Sequence, residues 1–148
     1  MKPNKKQVKG IAEELDAGMK CFYNLKTGEL KTIMNFDEFG FGDEEFWEKD
    51  IKEIEKNKKD YVEFTAMESH ESYKIMEAFV DKVKDTYLQN KLINILNKSK
   101  PFSNFNWQIG NSDYRQEWFD FRAKSYEDWV EKEIEWKIKW SNFRESLW

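Results

Sequence analysis

Apolar residues recur along this chain with two periods. Over residues 5–17 they fall three or four apart, at Val8, Ile11 and Leu15, which predicts a helix with one buried face. Asn4 is placed to cap it and Gly18 to end it. The period then drops to two, and residues 21–25 and 30–34 read as strands. Between them Gly28 supplies the left-handed residue of a three-residue hairpin turn. Residues 36–43 read as a loop. Asp43 can cap a helix over 44–57, whose Trp47, Ile51 and Ile54 share a face. A turn at 57–60 leads to a third strand, 61–65, rich in aromatic and β-branched residues. Ser69 caps a helix reaching about residue 84, with Tyr73, Met76, Phe79, Val80 and Val83 inward. A helix over 86–97 carries Leu88, Leu92, Ile95 and Leu96, and Pro101 opens a short one with Phe102, Phe105 and Ile109. A last helix, over 113–143, places Trp118, Phe121, Trp129, Trp136, Trp140 and Phe143 in one sector of its surface, with Leu147 on the same line.

This order predicts an α+β fold: a small antiparallel sheet, made of the hairpin and one further strand, covered by helices, with a helical C-terminal half. Residues 1–134 read as a single domain and 135–148 as its aromatic-rich helical extension. The last helix raises a question of length. Unbroken, it would run about 46 Å, whereas a domain of this size has a diameter of roughly 38 Å. Either it breaks, with Ser125 as a new cap, or its end projects.

Composition narrows the classes. Aromatics make up 17% and charged residues 36% of the 148 residues, which argues for a folded core beneath an ionised surface and against disorder. The net charge of −4 argues against a general phosphate-binding surface. A lone cysteine, Cys21, permits no internal disulfide and fits the cytoplasm. Neither a secretory signal nor a bilayer-spanning apolar run is evident.

The residues that could carry chemistry are few. His70 is the sole histidine, beside Glu68 and Glu71; a zinc site wants three ligands, mostly His or Cys, so no metal or cofactor is expected. Cys21 beside Phe22 reads as a buried thiol rather than a nucleophile. Gly40 and Gly42 sit among Asp37, Glu38, Asp43, Glu44 and Glu45, the wrong surroundings for a phosphate. The lysines from Lys49 to Lys59 alternate with Asp50, Glu53 and Glu55, which reads as a solvated helix face. No catalytic residue is singled out.

Several pieces resemble, in order, a bacterial uncharacterised protein family, number 0158. They are Ala17-Gly18-Met19, the hairpin from Asn24 to Leu30, Glu71-Ser72-Tyr73 with Met76-Glu77-Ala78-Phe79, Phe102 with Phe105, and Arg115-Gln116-Glu117-Trp118-Phe119-Asp120-Phe121-Arg122. The likeness covers roughly residues 8–134 and leaves 135–148 as an extension beyond the family pattern. It implies the fold class and no activity. Asn24 stands where the family tends to have Asp, which speaks against a catalytic carboxylate there.

What remains is surface. Phe39, Phe41, Phe46 and Trp47 lie in an acidic stretch, and Trp136, Trp140 and Phe143 are large aromatics beyond the family-like region. Both are candidate contact surfaces. The expected function is non-catalytic protein binding, as an adaptor or regulatory domain. Its partner is a protein, with the chain a monomer or a homodimer through the last helix. The rival readings are a small enzyme with a carboxylate, Tyr and Arg site and a single-stranded RNA-binding module. A membrane surface is disfavoured by Glu131, Glu133 and Glu135. Trp118, Phe121 and Trp129 are expected in the core, packed on the Tyr73–Val83 face. The C-terminal stripe is expected to be covered, by a fold back at Ser125 or by a second copy.

Overall fold

The first helix, α1 (Lys5–Asp16), begins at Asn4, whose side-chain oxygen accepts the amide of Gln7 while the Gln7 side chain accepts the amide of Asn4. This reciprocal cap fixes where the helix starts, and Gly18, at φ 90°, turns the chain out of it. The computed structural model describes residues 2–35 and 44–147. Beyond Gly18, β1 (Met19–Asn24) and β2 (Leu30–Met34) form the hairpin, and β3 (Tyr61–Phe64) pairs with the other edge of β1. The sheet order is β2-β1-β3, antiparallel throughout, with Cys21 opposite both Thr32 and Phe64. The helices are α2 (Glu44–Lys56), α3 (Ser69–Val80), α4 (Thr86–Leu96), α5 (Pro101–Gly110) and α6 (Arg115–Ser146). The α+β class is therefore as the hydrophobic pattern predicts.

The chain forms two compact units. One comprises Met1–Ala66 with Tyr126–Trp148, the other Met67–Ser125. In the first, alternate strand residues turn to one face of the sheet. Cys21, Tyr23, Val62 and Phe64 are buried there, and the unit's core also holds Val8, Ile11, Ala12 and Leu15 of α1 and Tyr126, Val130 and Ile134 of α6. The Gln7 side-chain Nε2 also donates to the Gly28 carbonyl and ties α1 to the hairpin. The second unit is helical. Its core joins Met76, Phe79, Val80, Val83, Leu88, Leu92, Leu96, Phe105, Ile109 and Trp118, with Tyr73 and Phe121 packed at its edge. Trp118 is 2% exposed, with ring centroids 5.3 Å from Phe79 and 5.0 Å from Phe105.

Local details differ from expectation in five places. The hairpin turn has four residues rather than three, because Asn24 and Glu29 close it through the Asn24 amide and the Glu29 carbonyl. Gly28 keeps its left-handed role, at φ 75°. Glu68 rather than Ser69 is the cap of α3, and it caps with its backbone alone. That helix stops at Val80, not near 84, where the Gln89 side chain satisfies the Val80 carbonyl. Trp129 is half-buried in the first unit, edge-on to Tyr126 at 5.7 Å, and is not part of the Trp118 core. Finally α6 does not break at Ser125. Its 32 residues run unbroken, about 48 Å, since no Gly or Pro interrupts the stretch and each end contributes to a buried core.

Candidate functional site

The C-terminal part of α6 buries one line of side chains and leaves another in water. Tyr126, Val130 and Ile134 are buried, and Lys137 continues their line. The Lys137 ammonium donates to the Glu63 carbonyl and lies over the Phe64 ring, 5.3 Å from its centroid. The aromatic residues read from sequence lie on a different line. Trp136 is 60% exposed, Trp140 47%, Phe143 50% and Leu147 64%. Successive rings stack: Trp136 on Trp140 at 5.8 Å, Trp140 on Phe143 at 5.5 Å. Neither a bend at Ser125 nor a fold back covers them.

The geometry of the helix explains why. Trp136 follows Trp118 by about five full turns, so the two share a line. Val130 follows Trp118 by twelve residues, which places it roughly 120° away. The line that α6 buries thus changes between its two ends. The sequence shows one continuous aromatic line, of which only the part near Trp118 is core.

The second candidate surface is only partly within view. Phe39 and Phe41 lie outside the described residues. Phe46 is 72% exposed and Trp47 half-buried, their rings edge to face at 4.8 Å. Other exposed apolar residues, Tyr87, Ile93, Trp107 and Phe119, belong to the second unit, and no sequence signal marks them as surface. Arg115 covers the Phe119 ring at 5.2 Å and Lys91 the Tyr87 ring at 5.9 Å, so each is partly shielded by its own helix.

The residues with potential chemistry are placed as follows. The Cys21 thiol is fully buried, and burial pushes its pKa up to about 11; it faces Thr32 Oγ1 at 3.8 Å. His70 is exposed, with Nδ1 3.4 Å from Glu68 Oε2. Among the described residues no three His, Cys, Asp or Glu side chains group as metal ligands. Asn24 is a buried polar side chain of the sheet, and its Oδ1 accepts the amides of Lys26 and Thr27 at 2.8 and 3.0 Å. An Asp could accept the same two bonds, so the position asks for a turn-capping oxygen rather than a catalytic one.

One cluster has no counterpart in any sequence pattern. Lys31 of β2, 10% exposed, is held by Glu29, Asp50 and Glu53 at 3.2, 3.1 and 3.2 Å. Burial alone would lower its pKa, but the bonds to Asp50, Glu29 and Glu53 outweigh that and hold it above the usual lysine range. Asp50 and Glu53 therefore tie α2 to the sheet and do not merely lace a solvated face. Glu48 and Lys52, 2.7 Å apart one turn along α2, do match that surface reading. No alternation pattern links Lys31 to residues some twenty positions on, so only the fold reveals the cluster.

No helix among the described residues is long and apolar enough to cross a membrane. No curated protein and no solved structure matches the chain. A protein-family model does match, over residues 13–147. The match corrects the expectation that 135–148 lies beyond the family pattern, since it takes in Trp136, Trp140, Phe143 and Leu147. With nearly its whole length matched, the chain belongs to the Uncharacterised protein family (UPF0158), for which no function is established.

Proposed function

We propose that this protein is a non-catalytic binding domain of the bacterial cytoplasm that docks a partner protein on the aromatic stripe of α6. The observation that carries the reading is the line of Trp136, Trp140, Phe143 and Leu147, each about half exposed or more. Large aromatics contribute about 150–250 Å² each when fully buried, so the line exposes on the order of 400 Å² of apolar surface. Patches of that size on soluble proteins commonly mark contact sites. Trp and Phe are also the residues that anchor interfaces, because they carry much area and few rotamers.

The inert environment of Cys21 and the solvated His70 supply no nucleophile or acid–base pair that would favour the enzyme reading. A lone reduced thiol suits a reducing compartment.

Affinity purification from the native host tests the reading, with the intact chain and with Trp136→Ser/Trp140→Ser as baits. A stoichiometric protein captured by the first and lost with the second supports it. Identical captures by both baits, with the variant equally folded, sink it.

A further inference from the structure

The stripe carries a pattern finer than its exposure. Trp129, Glu133, Trp136, Trp140, Phe143 and Leu147 follow one another at alternating steps of four and three residues. That is the spacing at which one helix meets another along a seam. The positions that border such a seam are Val130, which is buried, with Lys132, Lys137, Lys139, Arg144 and Ser146, so every charged border residue is a cation. Glu131, Glu135 and Glu145 occupy the outer positions, and Glu131 and Glu135 line a cleft with Lys2 and Lys5. Lys137 is committed to Glu63 and Phe64. Lys132, Lys139 and Arg144 are exposed and form no ion pair among the described residues. The charges on this segment are therefore sorted, although the whole chain is acidic.

The sorting bears on what covers the stripe. A second copy would set cationic borders against cationic borders in either helix direction, and like charges across an interface are costly. An anionic bilayer meets a carboxylate, Glu133, inside the line itself. Single-stranded nucleic acid needs open ring faces, whereas these rings are turned on one another at interplanar angles of 20° and 23°.

We propose that the α6 stripe receives an amphipathic helix of a partner protein whose apolar seam is bordered by Asp and Glu. This rests on the protein-binding reading above and names the partner's chemistry. The carboxylates would meet Lys132, Lys139 and Arg144, while Glu133, the polar position in the seam, sets the register. The apolar line supplies about half of the ~800 Å² that each side of a standard interface buries, and the charged borders supply the rest.

The test uses two synthetic three-heptad peptides with Leu along the seam, one bordered by Glu and one by Lys. Each is titrated into the full chain by calorimetry at low salt. The Glu-bordered peptide should bind at least ~10-fold more tightly, lose much of that margin at high salt, and lose its preference on Lys132→Glu/Lys139→Glu/Arg144→Glu. Equal affinity for the two peptides, or preference for the Lys-bordered one, overturns the inference and leaves the protein-binding reading standing. Binding of neither peptide also overturns it, and the capture experiment then decides the reading separately. Tighter binding to oligouridylate or to phosphatidylserine vesicles than to the Glu-bordered peptide, or a dimer of the intact chain by light scattering, overturns it too.

Discussion

The Lys31 ammonium of β2 lies 3.1 Å from the Asp50 carboxylate of α2 and links strand to helix through charge. Lys31→Met leaves Asp50, Glu29 and Glu53 facing one another. The carboxylates are 37–52% exposed, so water relieves part of the repulsion, and the expected loss is about 1–3 kcal/mol rather than that of a fully buried pair. Because the folded-state pKa of Lys31 is raised, its stabilisation is complete below the unfolded value of about 10.4 and fades as pH rises beyond it. Urea unfolding of wild type and Lys31→Met at pH 8 and pH 11 checks this: the gap between them should narrow at the higher pH.

Cys21 adds to the same alkaline loss by a different route. Its thiol is raised from 9.0 to about 11 by burial, so the unfolded chain ionises first. This contribution is full below about pH 9 and falls by about 3 kcal/mol by the time the folded thiol ionises. Cys21→Ala should flatten that part of the profile. A thiol reagent at pH 8 should label the native chain negligibly and the urea-unfolded chain completely; rapid native labelling would show an accessible thiol.

Trp118 is the largest side chain in the helical core, wedged between Phe79 and Phe105. Trp118→Ala is expected to cost about 3–5 kcal/mol in urea unfolding. A loss below ~1 kcal/mol would contradict its burial.

Asn24 separates the oxygen from the amide. Asn24→Ala removes both bonds to Lys26 and Thr27 and leaves those amides unpaired, an expected loss of about 1–3 kcal/mol. Asn24→Asp keeps the acceptor and should stay close to wild type at pH 7. If the two variants unfold alike, the turn does not depend on that oxygen.

Trp136 and Lys137 are neighbours with opposite expected effects on folding. Lys137→Ala gives up the contacts to Glu63 and Phe64 and should lower stability by about 1 kcal/mol. Trp136→Ser, at an exposed position, should change it by less than ~0.5 kcal/mol. Thermal unfolding of both variants distinguishes them, and a large loss for Trp136→Ser would mean that the stripe is covered after all.

Local signals carried most of the fold into view. Asn4 with Gln7, Gly28 between two alternating runs, and Pro101 before Phe105 each act over a few residues, so each was readable. The Lys31 cluster was not, because its members meet only when β2 and α2 pack. The stripe was half legible. Its residues follow from their spacing, but of the two coverings expected for it, a fold back at Ser125 or a second copy, the fold back does not occur. Spacing shows that Trp136 lies in line with Trp118, and cannot show that Val130 and Ile134 take over burial on another line. The cationic borders were equally present in the letters, yet they had no meaning until the buried line fixed which side of the helix faces water.

Within the first unit, the C-terminal part of α6 makes residue count, as well as residue identity, a constraint on the chain. Tyr126, Val130 and Ile134 are set along the helix like lobes on a camshaft, at fixed angles to one another. One residue inserted between Tyr126 and Val130 advances every later lobe by about 100°, which would carry Val130 and Ile134 out of the core they share with Tyr126 and roll Trp136 and Trp140 elsewhere. A single insertion there should therefore harm the fold as much as the loss of a core side chain, although none of the side chains between need be specified.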